Sequence, residues 1–302
     1  MITKDIFLET KLSEPSKDLY IKNFNKITDG DIKNLKNMDE IKKKLEGYSD
    51  NTIKNYFASI VAVLTNLKKR GVKGLLKKYD KELQKLVIKT STDKNTPNEK
   101  ENENWLDYNK IVEIKEKLTE QIKEIDIKNI TKTQYNNLLK LVVLSLYIDI
   151  PPRRNQDYLE MLIILDNKIP NNKSKNYYVF KKDLFIFNKY KTSKSYSSIQ
   201  IQIPSTLKAV LLFYISVLKE KGYLKNQTPL LIDFNGKILN KVNSITRILN
   251  SIFGSKIGSS MLRKIYLSNK YGKNMELFKQ LQEDSKLMSH GLNVQQAVYV
   301  KK

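Results

Sequence analysis

Fifty lysines stand against only five arginines in this chain: Arg70, Arg153, Arg154, Arg247 and Arg263. A chain that draws nearly all its generic positive charge from lysine can keep arginine for special places. Those are sites where a planar, permanently charged fork must grip a phosphate through two parallel hydrogen bonds. Other residue types narrow the chemistry by exclusion. There is no cysteine and a single histidine, His290. Disulfides, thiolate catalysis, cysteine-ligated zinc and an imidazole-rich metal site are therefore excluded.

The formal charge of +23 is self-repelling unless a polyanion usually accompanies the protein, and nucleic acid is the first candidate. The plainer alternative is a lysine-rich solvated surface. At 302 residues, 40% of them apolar, the chain can build two domains, each with its own core. Lys4, Asp5 and Glu9 stand where a signal peptide would need a basic start and an apolar run. The longest apolar stretches, 141–148 and 209–218, fall well short of the ~20 residues of a membrane helix. The expectation is a soluble intracellular protein without membrane association.

Positioning the arginines requires elements, and the chain announces several. Residues 15–90 read as mostly helical. Ile53, Tyr56, Phe57, Ile60, Leu64 and Leu67 follow the 3.6-residue period behind a Ser49, Asp50, Asn51 capping cluster. Between Asn51 and Thr90 ten basic residues face two acidic ones, a one-sidedness that favours DNA contact over an ordinary solvated surface. The expected DNA-gripping residues are Lys54, Lys68, Lys69, Arg70, Lys73, Lys77 and Lys78. Residues 91–104 lack large apolar side chains and read as a linker, which predicts domains over 1–90 and 105–302.

Two helices are expected at about 108–125 and 134–149, the second ended by Pro151-Pro152, so that Arg153 and Arg154 sit just past a helix end. Strands are expected at 177–180, 184–187 and 198–203 in a small antiparallel sheet. Helical periodicity then resumes at about 205–221, 241–252, 259–270, 274–286 and 293–300.

Five elements in this second region carry a family pattern. Arg154-Asn155-Gln156-Asp157 has an arginine, two residues and an acid after a helix, with Arg153 one residue out of register. Lys191-Thr192 lies between two predicted strands, with Lys194 and Lys189 as fallbacks. Arg263 ends Ser260-Met261-Leu262-Arg263, and Met288-Ser289-His290 is followed nine residues later by Tyr299. In order and spacing these resemble the catalytic domain of tyrosine recombinases (integrases). Ser49-Asp50-Asn51-Thr52-Ile53 at a helix start resembles their core-binding domain. The resemblance implies a mainly α fold with a small antiparallel β-sheet, in which a helical core-binding domain precedes an α+β catalytic domain.

It also implies a function: cleaving and rejoining DNA strands through a covalent 3′-phosphotyrosyl intermediate, without cofactor, in a dimer or tetramer on double-stranded DNA. Arg154 and Arg263 would clamp the phosphate oxygens, whose negative charge rises in the transition state. Lys191 would protonate the departing 5′ oxygen, and His290 would hydrogen-bond the phosphate or move a proton. Tyr299 would attack and retain the 3′ phosphate, storing the bond for religation. Each residue has a plain reading too: an interdomain salt bridge, a surface lysine, a loop histidine, one of 17 tyrosines. All of them falling in family order by chance is the less economical account.

Ser260 departs from the pattern, which usually has a histidine there, and leaves His290, Lys264 or Lys256 to take the tyrosine proton. Two other readings share the fold: a type IB topoisomerase, and a DNA-binding protein that has lost catalysis. If the first domain grips phosphates, duplex DNA affinity should fall steeply with added salt, and a fragment beginning at Trp105 should bind more weakly with a shallower salt slope. Equal affinity and slope in a titration from low to physiological salt would contradict this.

Overall fold

A computed structural model describes residues 2–67, 71–91, 99–166 and 168–275, together with 280, 282 and 283. The chain divides into two compact units, Met1–Pro97 and Asn98–Lys302.

The first unit is helical: α1 (Glu14–Thr28), α2 (Met38–Lys44), α3 (Asp50–Asn66) and α4 (Val72–Ser91). Ser49 caps α3 by accepting a hydrogen bond from the Thr52 amide, so the chain turns helical where the polar cluster predicts it. Tyr56, Phe57, Ile60, Val63 and Leu64 bury one face of α3 against Phe24, Ile27 and Tyr79. Tyr79 satisfies its hydroxyl by donating to the Leu35 carbonyl at 3.0 Å, and burial raises its pKa to about 12.

The first turn of α3 is tied to the last turn of α4. Lys54 Nζ donates to Asn51 Oδ1 at 2.9 Å and to Thr90 Oγ1 at 2.8 Å, and Lys89 pairs with Asp50 at 3.0 Å. Lys54 is thus committed to an internal tie and is not the freely projecting cation its sequence suggests. Lys73, Lys77 and Lys78 are exposed along α4; Lys68, Lys69 and Arg70 lie outside the described residues.

The second unit is built on α7 (Lys132–Ile148), which opens with a reciprocal Thr131–Gln134 capping box. From Leu138 on, α7 is apolar around nearly its whole circumference, and such a helix must be covered on all sides. Its covers are α6 (Tyr108–Ile122), α10 (Ser205–Glu220), α11 (Val242–Phe253) and α12 (Ser259–Tyr271). At its C-terminal end Lys115 of α6 donates to both oxygens of Asp149 at 2.6 and 2.7 Å, in a largely buried ion pair.

Within the expected linker, Glu99–Glu103 is a short helix, α5, followed by Asn104, whose Oδ1 accepts from the Lys256 amide at 3.0 Å. One expectation is corrected. The sheet is mixed, not antiparallel. Its five strands are β1 (Leu162–Ile164), β2 (Tyr177–Val179), β3 (Leu184–Phe187), β4 (Ile199–Gln202) and β5 (Thr228–Pro229), in the order β4-β3-β2-β1-β5. β1 and β2 are parallel and the other pairs antiparallel. About a dozen residues join β1 to β2, enough for the chain to return and run in the same direction.

The β3–β4 connection, which carries Lys191, is fixed at its root by buried Asn176. Its Nδ2 donates to the Asp157 and Lys189 carbonyls at 2.7 and 2.9 Å. Its Oδ1 accepts from the Asn188 and Lys189 amides at 2.9 and 2.8 Å. No helix among the described residues is long and apolar enough to cross a membrane.

Asn176→Ala removes all four bonds and leaves buried backbone groups unpaired, so unfolding stability should drop by about 3 kcal/mol. Urea denaturation of the full chain measures it; a loss within about 0.5 kcal/mol, the range of an ordinary surface substitution, would contradict the assigned role.

Candidate active site

Past Pro151-Pro152 the backbone is extended until the short helix α8 (Asn155–Tyr158) begins, with Arg154 at its N-cap. The two adjacent arginines therefore point into different surroundings. Arg153 Nε donates to Asp157 Oδ2 at 3.0 Å, one helical turn on, and its guanidinium stacks 4.0 Å from the Phe187 ring centroid and 5.0 Å from that of Tyr190. It is a packed, paired cation. Arg154 enters no ion pair among the described residues and lies on the open side.

The segment is anchored from below by Asn155. Tyr147 of α7 donates to Asn155 Oδ1 at 2.6 Å, and Asn155 Nδ2 donates to Thr246 Oγ1 of α11 at 2.9 Å. One buried amide thus fixes the α7 end, α8 and α11 together.

Arg263 comes from the second turn of α12. It lines the same two open depressions as Arg154. The larger, about 570 Å³, is walled by Asn155, Thr246, Lys256, Ser259, Ser260 and Lys264. The smaller, about 330 Å³, is walled by Arg153, Tyr190, Thr192, Tyr196 and Ile199. Arg263 Nε is buried with no hydrogen-bond partner among the described residues. Burial, and after it the charge of Arg154, push the Arg263 pKa below the usual arginine range. Two like charges sharing one concave surface, one of them with an unused donor, form a site that an anion stabilises.

Two carboxylates adjoin this cluster: Glu101, at the wall of the larger depression, and Asp157, which is almost wholly buried beside the smaller one. Burial raises the Asp157 pKa, while the Arg153 guanidinium pulls it back down. Pairing with Arg153 at i,i+4 leaves Arg154, at i,i+3, to face outward.

The remaining predicted residues are placed as follows. Lys191 is exposed on the β3–β4 connection between Tyr190 and Thr192, both of which line the smaller depression. Of its fallbacks, Lys189 sits 3.8 Å from Glu160 and the Lys194 side chain lies outside the described residues. Ser260 lines the larger depression where the pattern calls for histidine. Lys264 is ion-paired with Glu101, whereas the Lys256 side chain enters no ion pair among the described residues. His290 and Tyr299 lie outside the described residues.

The sequence reading missed Asn155 and Asn176 as supports. Both sit in a chain where asparagine is common, so composition hides them. No group of three or more His, Cys, Asp or Glu that could hold a metal occurs among the described residues. The chain matches no protein-family model, and no curated protein matches it.

Arg153→Met should expose the strain beneath this site. Without the guanidinium the folded-state pKa of Asp157 climbs further above its unfolded value. The variant is then relatively most stable below the unfolded carboxylate value and weakens as pH rises through the folded one. Its deficit against the native protein should be about 3–5 kcal/mol at neutral pH and shrink towards about pH 2.5, well below the unfolded carboxylate value, where the carboxyl is protonated in both states. Urea unfolding at the two pH values tests this; a deficit that grows on acidification would contradict it.

Proposed function

We propose that this protein cleaves and rejoins DNA strands through a covalent 3′-phosphotyrosyl intermediate, as a site-specific recombinase or integrase of the tyrosine recombinase type. The observation that carries the reading is the convergence of Arg154 and Arg263, from segments far apart in sequence, on one open basic surface beside the connection that bears Lys191. A half-buried pair of forked cations lining an open surface suits a phosphodiester, whose equatorial oxygens gain charge as it becomes pentavalent.

In this mechanism the Tyr299 hydroxyl attacks phosphorus, its proton passes to His290, Lys256 or Lys264, and the bond to the 5′ oxygen breaks. Lys191 supplies a proton to that oxygen, and the tyrosine keeps the 3′ phosphate. Return of the 5′ hydroxyl reverses each transfer and seals the strand without ATP. His290 hydrogen-bonds the phosphate or moves a proton. Strand exchange requires two or more protomers on paired sites, with exposed Lys73, Lys77 and Lys78 of the first unit adding phosphate contacts.

One observation favours a second reading, DNA binding without cleavage. Ser260 occupies the histidine position, and nearby Lys264 is engaged by Glu101. A nicked suicide duplex followed by denaturing electrophoresis separates the two. Cleavage predicts a protein–DNA adduct that disappears in Tyr299→Phe, with binding nearly unchanged, and persists in Tyr271→Phe. Arg154→Ala and Arg263→Ala should lower the cleavage rate by roughly 10²–10³-fold, with lysine restoring only part. An adduct surviving in Tyr299→Phe, or a DNA-linked peptide containing Tyr266 or Tyr271, would overturn the assignment. No adduct from the native protein on such substrates would favour the second reading.

A further inference from the structure

Tyr196 closes α9 (Ser193–Tyr196), a single helical turn within the β3–β4 connection, and its ring is 70% exposed. Among the described residues no aromatic ring packs against it and its hydroxyl has no hydrogen-bond partner. A lone exposed ring is unremarkable in itself. Two further facts distinguish this one.

First, Tyr196 walls the smaller depression together with Arg153, Arg154, Thr192 and Arg263, so its open face adjoins the unpaired guanidinium surface. Second, the turn that presents it is strained. Ser197 holds φ 58° and ψ −155°, a conformation that side-chain-bearing residues rarely adopt. The Tyr190 hydroxyl locks it there by donating to the Ser197 carbonyl at 2.6 Å. Strain of this kind persists only where the surroundings enforce it, and here what it maintains is an uncovered aromatic face beside a phosphate-type site.

We propose that Tyr196 is a stacking platform for the nucleobase adjacent to the phosphate held by Arg154 and Arg263. The inference rests on the phosphodiester reading of the arginine pair and adds a base-binding subsite to it. Every base offers a π-face, so the contact is tolerant of sequence, and it selects for a base that has left the duplex stack. Such a base is most easily supplied at a gap or nick, where unpairing is already done. The site is therefore expected to favour interrupted duplexes over continuous ones.

The test uses the full-length protein and a mixed-sequence duplex with a short gap containing 5-iododeoxyuridine, which photocrosslinks to stacked aromatic side chains. The expected crosslink lies in the tryptic peptide 195–208. It should be lost in Tyr196→Ala and kept in Tyr196→Phe. Affinity of Tyr196→Ala for gapped DNA should fall about tenfold, and that of Tyr196→Phe should stay within about twofold of native. Crosslinking confined to other peptides, or native affinity in Tyr196→Ala, overturns the proposal.

Arg154→Ala and Arg263→Ala test the underlying reading in the same assay. If they weaken binding while Tyr196→Ala does not, only the stacking subsite fails. If they bind gapped DNA as tightly as the native protein, the phosphate site falls, and the subsite with it.

Discussion

The arrangement on which the rest of the second unit depends is the enforced closeness of two guanidinium groups. Arg154 and Arg263 repel each other, and burial already works against the charge on Arg263. Such a pair stays together only on a scaffold stiff enough to resist it. The stiffness comes from α7, whose covered apolar surface fixes where its last turn ends. It comes also from Asn155, which joins that turn to α11 through bonds of 2.6 and 2.9 Å. Asp157 completes the balance by absorbing Arg153 from below, leaving the neighbouring arginine to face outward. The arginine pair is thus held in place by groups outside it.

Much of this architecture was legible before any coordinates, for identifiable reasons. Long amphipathic segments such as α3 and α6 repeat their pattern often enough to be read, and polar caps and the proline pair mark ends within a residue or two. β1 and β5, of three and two residues, are too short to show any period, and missing them hid the parallel pairing. The scarcity of arginine marked all five as worth locating, the family resemblance picked out Arg154 and Arg263, and the two line one surface. Sequence could not reveal that Lys54 is consumed by Asn51 and Thr90, or that Asn176 pins the β3–β4 root, because both depend on partners distant along the chain.

The β3–β4 connection combines a firm base with an open tip. Asn176 and Asn188 hold the strand ends, and Tyr190 grips the backbone at Ser197. Between these clamps the exposed residues Lys191 and Tyr196 project on a short span with little freedom to rearrange. Backbone held this way has part of its ordering entropy already spent, while the exposed side chains of Lys191 and Tyr196 keep their rotamer freedom.

The way α7 is covered also has a meaning for the chain as it is made. One wall is α6, from earlier in the sequence, but α10, α11 and α12 all come later, and α12 brings Arg263 itself. A ribosome-bound chain that has emerged only as far as α11 carries Arg154 without its counterpart and α7 with one flank bare. The surface lined by both arginines therefore forms only once α12 has emerged, nearly together with the closing of the core. An unfinished polypeptide has a greasy flank for chaperones to recognise before it has both arginines of the finished surface.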